Sequence, residues 1–362
     1  MTGSIRSLFA AVLVAALTIV PCRATQQADQ RKALVSLGER LFFDVRLSAD
    51  GRVSCATCHQ PNRAFQDGLR SARGSFDQVG TRNTPSLLRV SAERNLFWDG
   101  RRQSLSAQAM DPLLNLREHG LKDADALLAI VEQFPDYALM FDAANKELGE
   151  PVDRRVNQRT LGEALAAFET HLTDGESPFE AFYYGKNTQS LSSGAQKGWA
   201  LFSGRAQCIA CHKVGADPPA LFTDQEFHAM PSSNRPGGQA LADLVGRFMA
   251  ARQAGSSLDA ILLSDASMSA LGRFVVTQSP TDIGKFKTPS LRNVAITAPY
   301  MHDGSVETLR EAVELEIYYR GSLDGHPLIL TEEEVGDLMA FLSTLTAFKP
   351  PALTGSVSPI GH

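Results

Sequence analysis

Apolar positions recur every three to four residues along much of the chain. Leu161, Leu165, Phe168 and Leu172 form one such stripe, which predicts a helix with a single buried face. Thr331-Glu-Glu-Glu334 supplies the hydroxyl and carboxylate of a reciprocal N-terminal cap. Val335, Leu338, Leu342 and Leu345 then follow on one helical face. Alternation of period two, which would mark half-buried strands, is scarce. The pattern predicts an all-α fold. Two Gly/Pro/Ser-rich stretches interrupt it, at 185–194 as a linker and at 231–238 as a loop.

One continuous apolar run stands apart, Leu8 to Val20, preceded by Arg6. It is too short to span a bilayer comfortably and has the length of a signal-peptide core. Cys22-Arg-Ala24 places a small residue at the cleavage point. Residues 1–24 are therefore expected to be an export signal cut near Ala24, leaving no stable membrane anchor.

The rest of the chain repeats itself. Gly38-x-x-Leu41-Phe42 returns as Gly198-x-x-Leu201-Phe202, Phe65-x-Asp67 as Phe222-x-Asp224, and Thr84-Pro-Ser-Leu87 as Thr288-Pro-Ser-Leu291. Asp99-Gly100 and Asp303-Gly304 follow these last motifs at equal distance. Each copy holds one C-x-x-C-H, at Cys55-Ala-Thr-Cys58-His59 and Cys208-Ile-Ala-Cys211-His212. That pattern attaches a c-type haem through two thioethers and one axial histidine. The chain has five cysteines, and the fifth, Cys22, belongs to the expected signal. Once it is removed, none is left for a disulfide or a zinc ribbon. Covalent haem attachment also fits export, to the periplasm.

A length of 362 residues suits two domains. We expect two cytochrome c-like haem domains, at 25–185 and 186–350, with a tail at 351–362. Region 225–285 has no counterpart in the first half. The net charge of −5 gives no basic footprint for nucleic acid.

These motifs resemble the bacterial dihaem cytochrome c peroxidase/MauG family over nearly all of the mature chain. The resemblance rests on both C-x-x-C-H motifs, on Arg82-Asn-Thr-Pro-Ser-Leu87, on Phe97-Trp-Asp-Gly-Arg101, on Lys287-Thr-Pro-Ser-Leu-Arg-Asn-Val294 and on Thr297-Ala-Pro-Tyr-Met-His-Asp-Gly304. It implies a peroxidatic haem in the N-terminal half and an electron-transfer haem in the C-terminal half. It casts His59 and His212 as proximal iron ligands, Trp98 as the inter-haem relay, and Gln108 and Glu118 as the distal glutamine and glutamate, with Pro112 between them. Asn83 and the carbonyls of Thr297 and Pro299 match the family's calcium site, and oxygen ligands suit that cation.

Two positions depart from the family. Many members carry a removable histidine ligand on the peroxidatic haem, yet no histidine occurs from Gln60 to Glu118. The first iron is therefore expected to be open to peroxide. His119 is the nearest candidate ligand and the weaker reading, being next to Glu118. On the second haem, the family places Met or Tyr in the helix after His-Asp-Gly. Here that place falls on Glu316, or on Tyr318 if two residues are inserted; Met301 or an open site is the remaining alternative. The repeat maps Glu316 onto Pro112, which has no donor side chain.

Three functions stay open at this point. The first is a periplasmic peroxidase that reduces hydrogen peroxide with electrons from a small cytochrome c or cupredoxin. The second is a MauG-like enzyme that uses peroxide-derived high-valent haem to oxidise side chains of a partner protein. The third is a simple dihaem electron carrier, against which Gln108, Glu118 and the open iron argue. Nothing in the sequence decides whether the protein is a homodimer.

Overall fold

The computed structural model describes residues 31–151, 155–229, 237–323 and 328–350. The expected signal peptide, the 351–362 tail and most of the 231–238 loop lie outside them. The described chain is mostly helical. The first half comprises α1 (Lys32–Phe42), a single turn α2 (Cys55–Cys58), α3 (Leu105–Leu114), α4 (Ala124–Glu132), α5 (Pro135–Leu148) and α6 (Gln158–Thr170). Their inner faces close one core around Leu34, Leu37, Leu41, Phe42, Leu161 and Leu165. The stripe read at 161–172 is the buried face of α6 and its exit.

The chain continues through α7 (Pro178–Tyr183) and α8 (Ser193–Ser203). It then enters an insertion: β1 (Phe227–Ala229), α9 (Gly238–Gln253), α10 (Leu258–Ser264), α11 (Phe274–Thr277) and β2 (Lys285–Lys287). β1 and β2 pair antiparallel, with His228 opposite Phe286. This short ribbon departs from a purely helical fold; three residues per strand are too few to show a period. The insertion has its own core around Leu244, Phe248, Leu271 and Phe274. Region 225–285 is thus a separately packed addition. α12 (Leu309–Leu323) and α13 (Glu332–Ser343) return to a core with Phe179, Phe202, Phe222 and Phe341. Thr331 and Glu334 cap α13 reciprocally. The stretch read as a linker holds one 3₁₀ turn, Thr188–Ser190, before α8 begins. Although a boundary was expected at 185/186, Leu172 packs in the first core and Phe179 already packs in the second. No helix among the described residues is long and apolar enough to cross a membrane.

The repeat extends to backbone geometry. An added Cβ at Gly38 would lie 1.9 Å from the Ala164 carbonyl oxygen, and one at Gly198 2.0 Å from that of Asp337. Glycine therefore lets α1 cross α6, and α8 cross α13, backbone against backbone. Arg89 and Asn293, Phe97 and Met301, and Gly100 and Gly304 are left-handed in pairs. The isolated bridges Leu96–Arg102 and Tyr300–Val306 also match.

The halves meet on buried charge. Asp174, after α6, accepts from Arg89 at 2.5 Å, from Arg292 at 2.7 Å and from the Asn293 amide at 2.8 Å. Arg292 also donates to Glu180 at 2.7 Å.

Candidate haem and peroxide site

In the first C-x-x-C-H, one helical turn carries both cysteines, and the His59 N–H closes it on the Cys55 carbonyl at 2.8 Å. In the second, a 3₁₀ turn (Cys208–Ala210) carries the first cysteine and Cys211 follows as its cap, and His212 N–H reaches the Cys208 carbonyl at 3.0 Å. The His59 Nδ1 lies 3.0 Å from the Phe65 carbonyl oxygen, and the His212 Nδ1 lies 2.9 Å from that of Phe222. Both phenylalanines sit at φ 57°, which turns those carbonyls inward. The preceding carbonyls, of Ala64 and Leu221, accept from Ser86 at 2.5 Å and Ser290 at 2.6 Å. A carbonyl at Nδ1 assigns the proton there and leaves Nε2 as the lone-pair atom. An iron ligand needs this orientation. Burial holds His59 below its usual pKa, so its ring is neutral at pH 7. The donor set fits a c-type haem in each half. The Phe-x-Asp and Thr-Pro-Ser-Leu repeats are thus the outer supports of the two histidines.

α3 carries Gln108 and Pro112 four positions apart, on one helical face. The chain turns after it, and the Pro112 carbonyl accepts from His119 N–H at 3.2 Å. Glu118 is half-buried in this turn. Burial pushes its carboxyl up to about 7; the Arg101 charge and the Asn115 amide oppose this, and Asp111 adds to it. Asn115 Nδ2 donates to Glu118 Oε1 at 2.6 Å. Arg101 stacks 3.4 Å above the Phe97 ring and donates to Asp99 at 3.1 Å. Among the described residues no hydrogen bond joins Gln108 to Glu118. His119 is buried, with Nδ1 2.7 Å from the Leu47 carbonyl and Nε2 4.0 Å from Cys55 Sγ. Its ring supports the fold beside the cysteine.

Trp98 spans the halves. Its Nε1–H donates to the Asn83 carbonyl at 3.1 Å, and its own carbonyl accepts from Lys287 N–H at 2.9 Å. Lys287 is ion-paired with Glu93. Asn83 N–H reaches the His302 carbonyl at 3.0 Å, which joins Asn83 to the loop that also holds Thr297 and Pro299. The Asn83 amide nitrogen donates to the Leu69 carbonyl at 3.0 Å, leaving Oδ1 as the end available to a cation. The His302 ring stacks 3.7 Å from Phe286 and accepts from Arg82 at 2.8 Å.

On α12, Ala312 is buried, Val313 and Ile317 pack on the second core, and Glu316 is half-buried. Tyr318 is 76% exposed, on the opposite side. Met301 is buried in its loop.

Sequence reasoning missed Asn115 and Asp111 around Glu118, which carry no motif, and it did not place Arg101 there, although that residue closes Phe97-Trp-Asp-Gly-Arg101. It also missed a cluster of Cys211, Asp224 and His228, whose donor atoms lie within 4.8 Å of one another. Asp224 was visible only as the end of Phe-x-Asp, and His228 arrives on β1.

The sequence profile of the Di-haem cytochrome c peroxidase family matches residues 32–188. The methylamine utilization protein MauG of Methylorubrum extorquens is 35% identical over 328 residues, covering 88% of this chain and 80% of its own length. The cytochrome-c peroxidase IdrP1 of Denitromonas iodatirespirans is 34% identical over 358 residues, covering 94% and 89%. Among solved structures, a MauG-like protein associated with microbial copper homeostasis superposes with a TM-score of 0.68 at 30% identity, over 87% of this chain and 89% of that one. The diheme peroxidase BthA of Burkholderia thailandensis gives a TM-score of 0.66 at 27% identity, over 91% and 89%. The chain belongs to the bacterial dihaem cytochrome c peroxidase/MauG family of oxidoreductases.

Proposed function

We propose that this protein is a dihaem c-type peroxidase acting in the periplasm. It reduces hydrogen peroxide by H₂O₂ + 2H⁺ + 2e⁻ → 2H₂O, with electrons from a small cytochrome c or cupredoxin. One observation carries the reading. Glu118 is held near neutrality next to a helix whose Pro112 offers no iron ligand.

Cys55 and Cys58 would hold the first haem by thioethers, with His59 on its iron. Cys208, Cys211 and His212 would hold the second. When bound, the first haem supplies the iron that takes peroxide and passes it electrons. This chain does the rest. Ionised Glu118 takes the proton from the near oxygen of peroxide and returns it to the far oxygen, which leaves as water. The Gln108 amide donates to the peroxide and holds it. Trp98, bonded to both halves, lies on the electron route between the haems. Glu316 is our second distal ligand, in preference to Tyr318, because it lies on the inward side of α12. Glu316→Ala should alter the second haem's spectrum and Tyr318→Phe should leave it unchanged; the reverse would exchange the assignment. Asn83 with the Thr297 and Pro299 carbonyls would bind calcium.

A second reading is MauG-like oxidation of a partner protein. It is favoured by the lack of any histidine between Gln60 and Glu118 and by an oxygen donor at Glu316. Turnover of peroxide with a reduced small cytochrome, read beside the spectrum after peroxide alone, separates the two. Rapid turnover supports the peroxidase. A long-lived oxidised state with poor turnover would overturn it in favour of the MauG-like activity.

A further inference from the structure

α6 and α13 are matching helices of the repeat. Gly38 meets α6 at Ala164 and Phe168, and Gly198 meets α13 at Asp337 and Phe341. Set in that register, Leu165 matches Leu338 and Leu172 matches Leu345. One buried position breaks the match. Glu169 stands where the second half has Leu342, and each is only 5% exposed. The fold accepts leucine at this place, so packing does not call for the acid.

A glutamate is seldom buried without a partner. Glu169 Oε2 is buried and has no hydrogen-bond partner among the described residues. Cys55 packs on the first core, as Leu165 and Leu172 do. Burial first, and the Glu169 charge next, push the Cys55 thiol up, so the carboxyl is within electrostatic reach of the first thioether position. Burial alone drives the Glu169 carboxyl up to about 8.

The charges on the elements packed against α6 are engaged elsewhere. Arg40 on α1 pairs with Asp136 on α5, Asp111 on α3 with Arg102, and Arg89, before the 3₁₀ turn Val90–Ala92, with Asp174. Lys32, Glu39, Asp142, Lys146 and Glu147 are exposed. At Cys55, Glu118 acts more weakly than Glu169, and burial holds the neighbouring His119 ring neutral at pH 7.

We propose that Glu169 is the proton site coupled to reduction of the first haem, taking up a proton when the haem takes up an electron and releasing it on oxidation. The step balances as one electron onto the haem and one proton from solvent onto the Glu169 carboxylate, so the buried region gains no net charge. The oxidised centre favours a nearby carboxylate, and reduction removes that favour. Peroxide reduction consumes one proton per electron, and this site brings the two in together. Glu169 acts through the haem's potential and not on peroxide itself. The inference rests on the reading that Cys55 and His59 hold a haem.

The test measures the midpoint potentials of both haems against pH in the holoprotein, with reduced-minus-oxidised infrared spectra alongside. The proteins are the wild type, Glu169→Leu, which copies Leu342, Glu169→Gln and Glu118→Gln. In the wild type the first haem's potential should fall as pH rises through the range around 8. The slope is at most about 59 mV per pH unit, the equivalent of a tenfold change in proton concentration for one electron. Below that range Glu169 keeps its proton in both states, and above it in neither, so the potential flattens. Both Glu169 variants should lose this part of the dependence, and Glu118→Gln should keep it. The second haem should be alike in all four proteins. In the infrared, reduction should create a protonated-carboxyl band in the wild type and Glu118→Gln that neither Glu169 variant shows. The same pH dependence in the wild type and both Glu169 variants overturns the proposal, and so does a band that survives Glu169→Gln. A change confined to Glu169→Leu would assign Glu169 to packing and overturn it as well. Failure of the peroxidase reading is distinct. It would appear as no peroxide turnover in the wild type, and the potentials would still decide the proton site.

Discussion

A carboxyl group can both accept and return a proton only if its pKa lies near the working pH. Burial places Glu118 there, at about 7, against the pull of Arg101 and of the Asn115 amide. The base is the ionised form, so its fraction falls about tenfold for each pH unit below 7. The stopped-flow rate of reaction with peroxide should fall accordingly on the acid side. Glu118→Gln should lower the rate by about 10² to 10⁴ and abolish that acid limb. An unchanged rate, or an unchanged limb, would remove Glu118 from proton transfer. In the sequence Glu118 was singled out through the resemblance, at the family's distal glutamate position. Its pKa could not be read there, because Asn115 reaches it from the turn after α3, Arg101 from a loop and Asp111 from α3 itself, and sequence periodicity does not bring these together. Likewise the sequence left Glu316 and Tyr318 open. Only the rotation of α12 separates a half-buried side chain from one that is 76% exposed.

At the scale of elements, the helical stripes at 161–172 and 335–345 were readable because each has one buried face and a fixed period. The function of the glycines within the repeat was not, since it depends on which helix crosses which. The structure makes that dependence testable. Gly198→Ala would put a methyl group 2.0 Å from the Asp337 carbonyl oxygen and force α8 off α13. It should cost about 1–3 kcal/mol, read as a fall in Tm of the holoprotein. A Cβ added at Gly246, inside α9, would meet nothing within 4 Å. Gly246→Ala should therefore stabilise by up to about 1 kcal/mol, through helix propensity. The opposite signs are the content of the prediction. Two destabilising substitutions would mean that propensity and packing are not separated as described. The ribbon of β1 and β2 was invisible for a different reason: its pairing joins residues far apart in the sequence, and each strand is too short to alternate.

For the whole molecule, the duplication was legible but the joint between its copies was not. The joint depends on Asp174, whose side chain is fully buried and carries no motif. Burial pushes its carboxyl up, but hydrogen bonds from Arg292 and Asn293 and the Arg292 charge outweigh this and hold it below the usual range. Glu180 shares Arg292 and is likewise held low. An acid whose pKa is depressed by folding stabilises fully above its unfolded value of about 3.9 and loses that contribution as pH falls from there through its lower folded value. The joint should thus be intact at neutral pH and fail in acid. Asp174→Asn removes the charge shared by Arg89 and Arg292 and leaves buried guanidinium groups short of a partner. Such a break costs about 3–5 kcal/mol. Because Arg89 belongs to the first half and Arg292 to the second, the loss should also uncouple them. Chemical denaturation at pH 7 should change from one transition to two in Asp174→Asn. The stability that remains should depend less on pH between 5 and 3 than in the wild type. A single transition with an unaltered pH dependence would show that the hydrophobic contacts between the halves, and not this charge cluster, hold the two haem sites in register across Trp98.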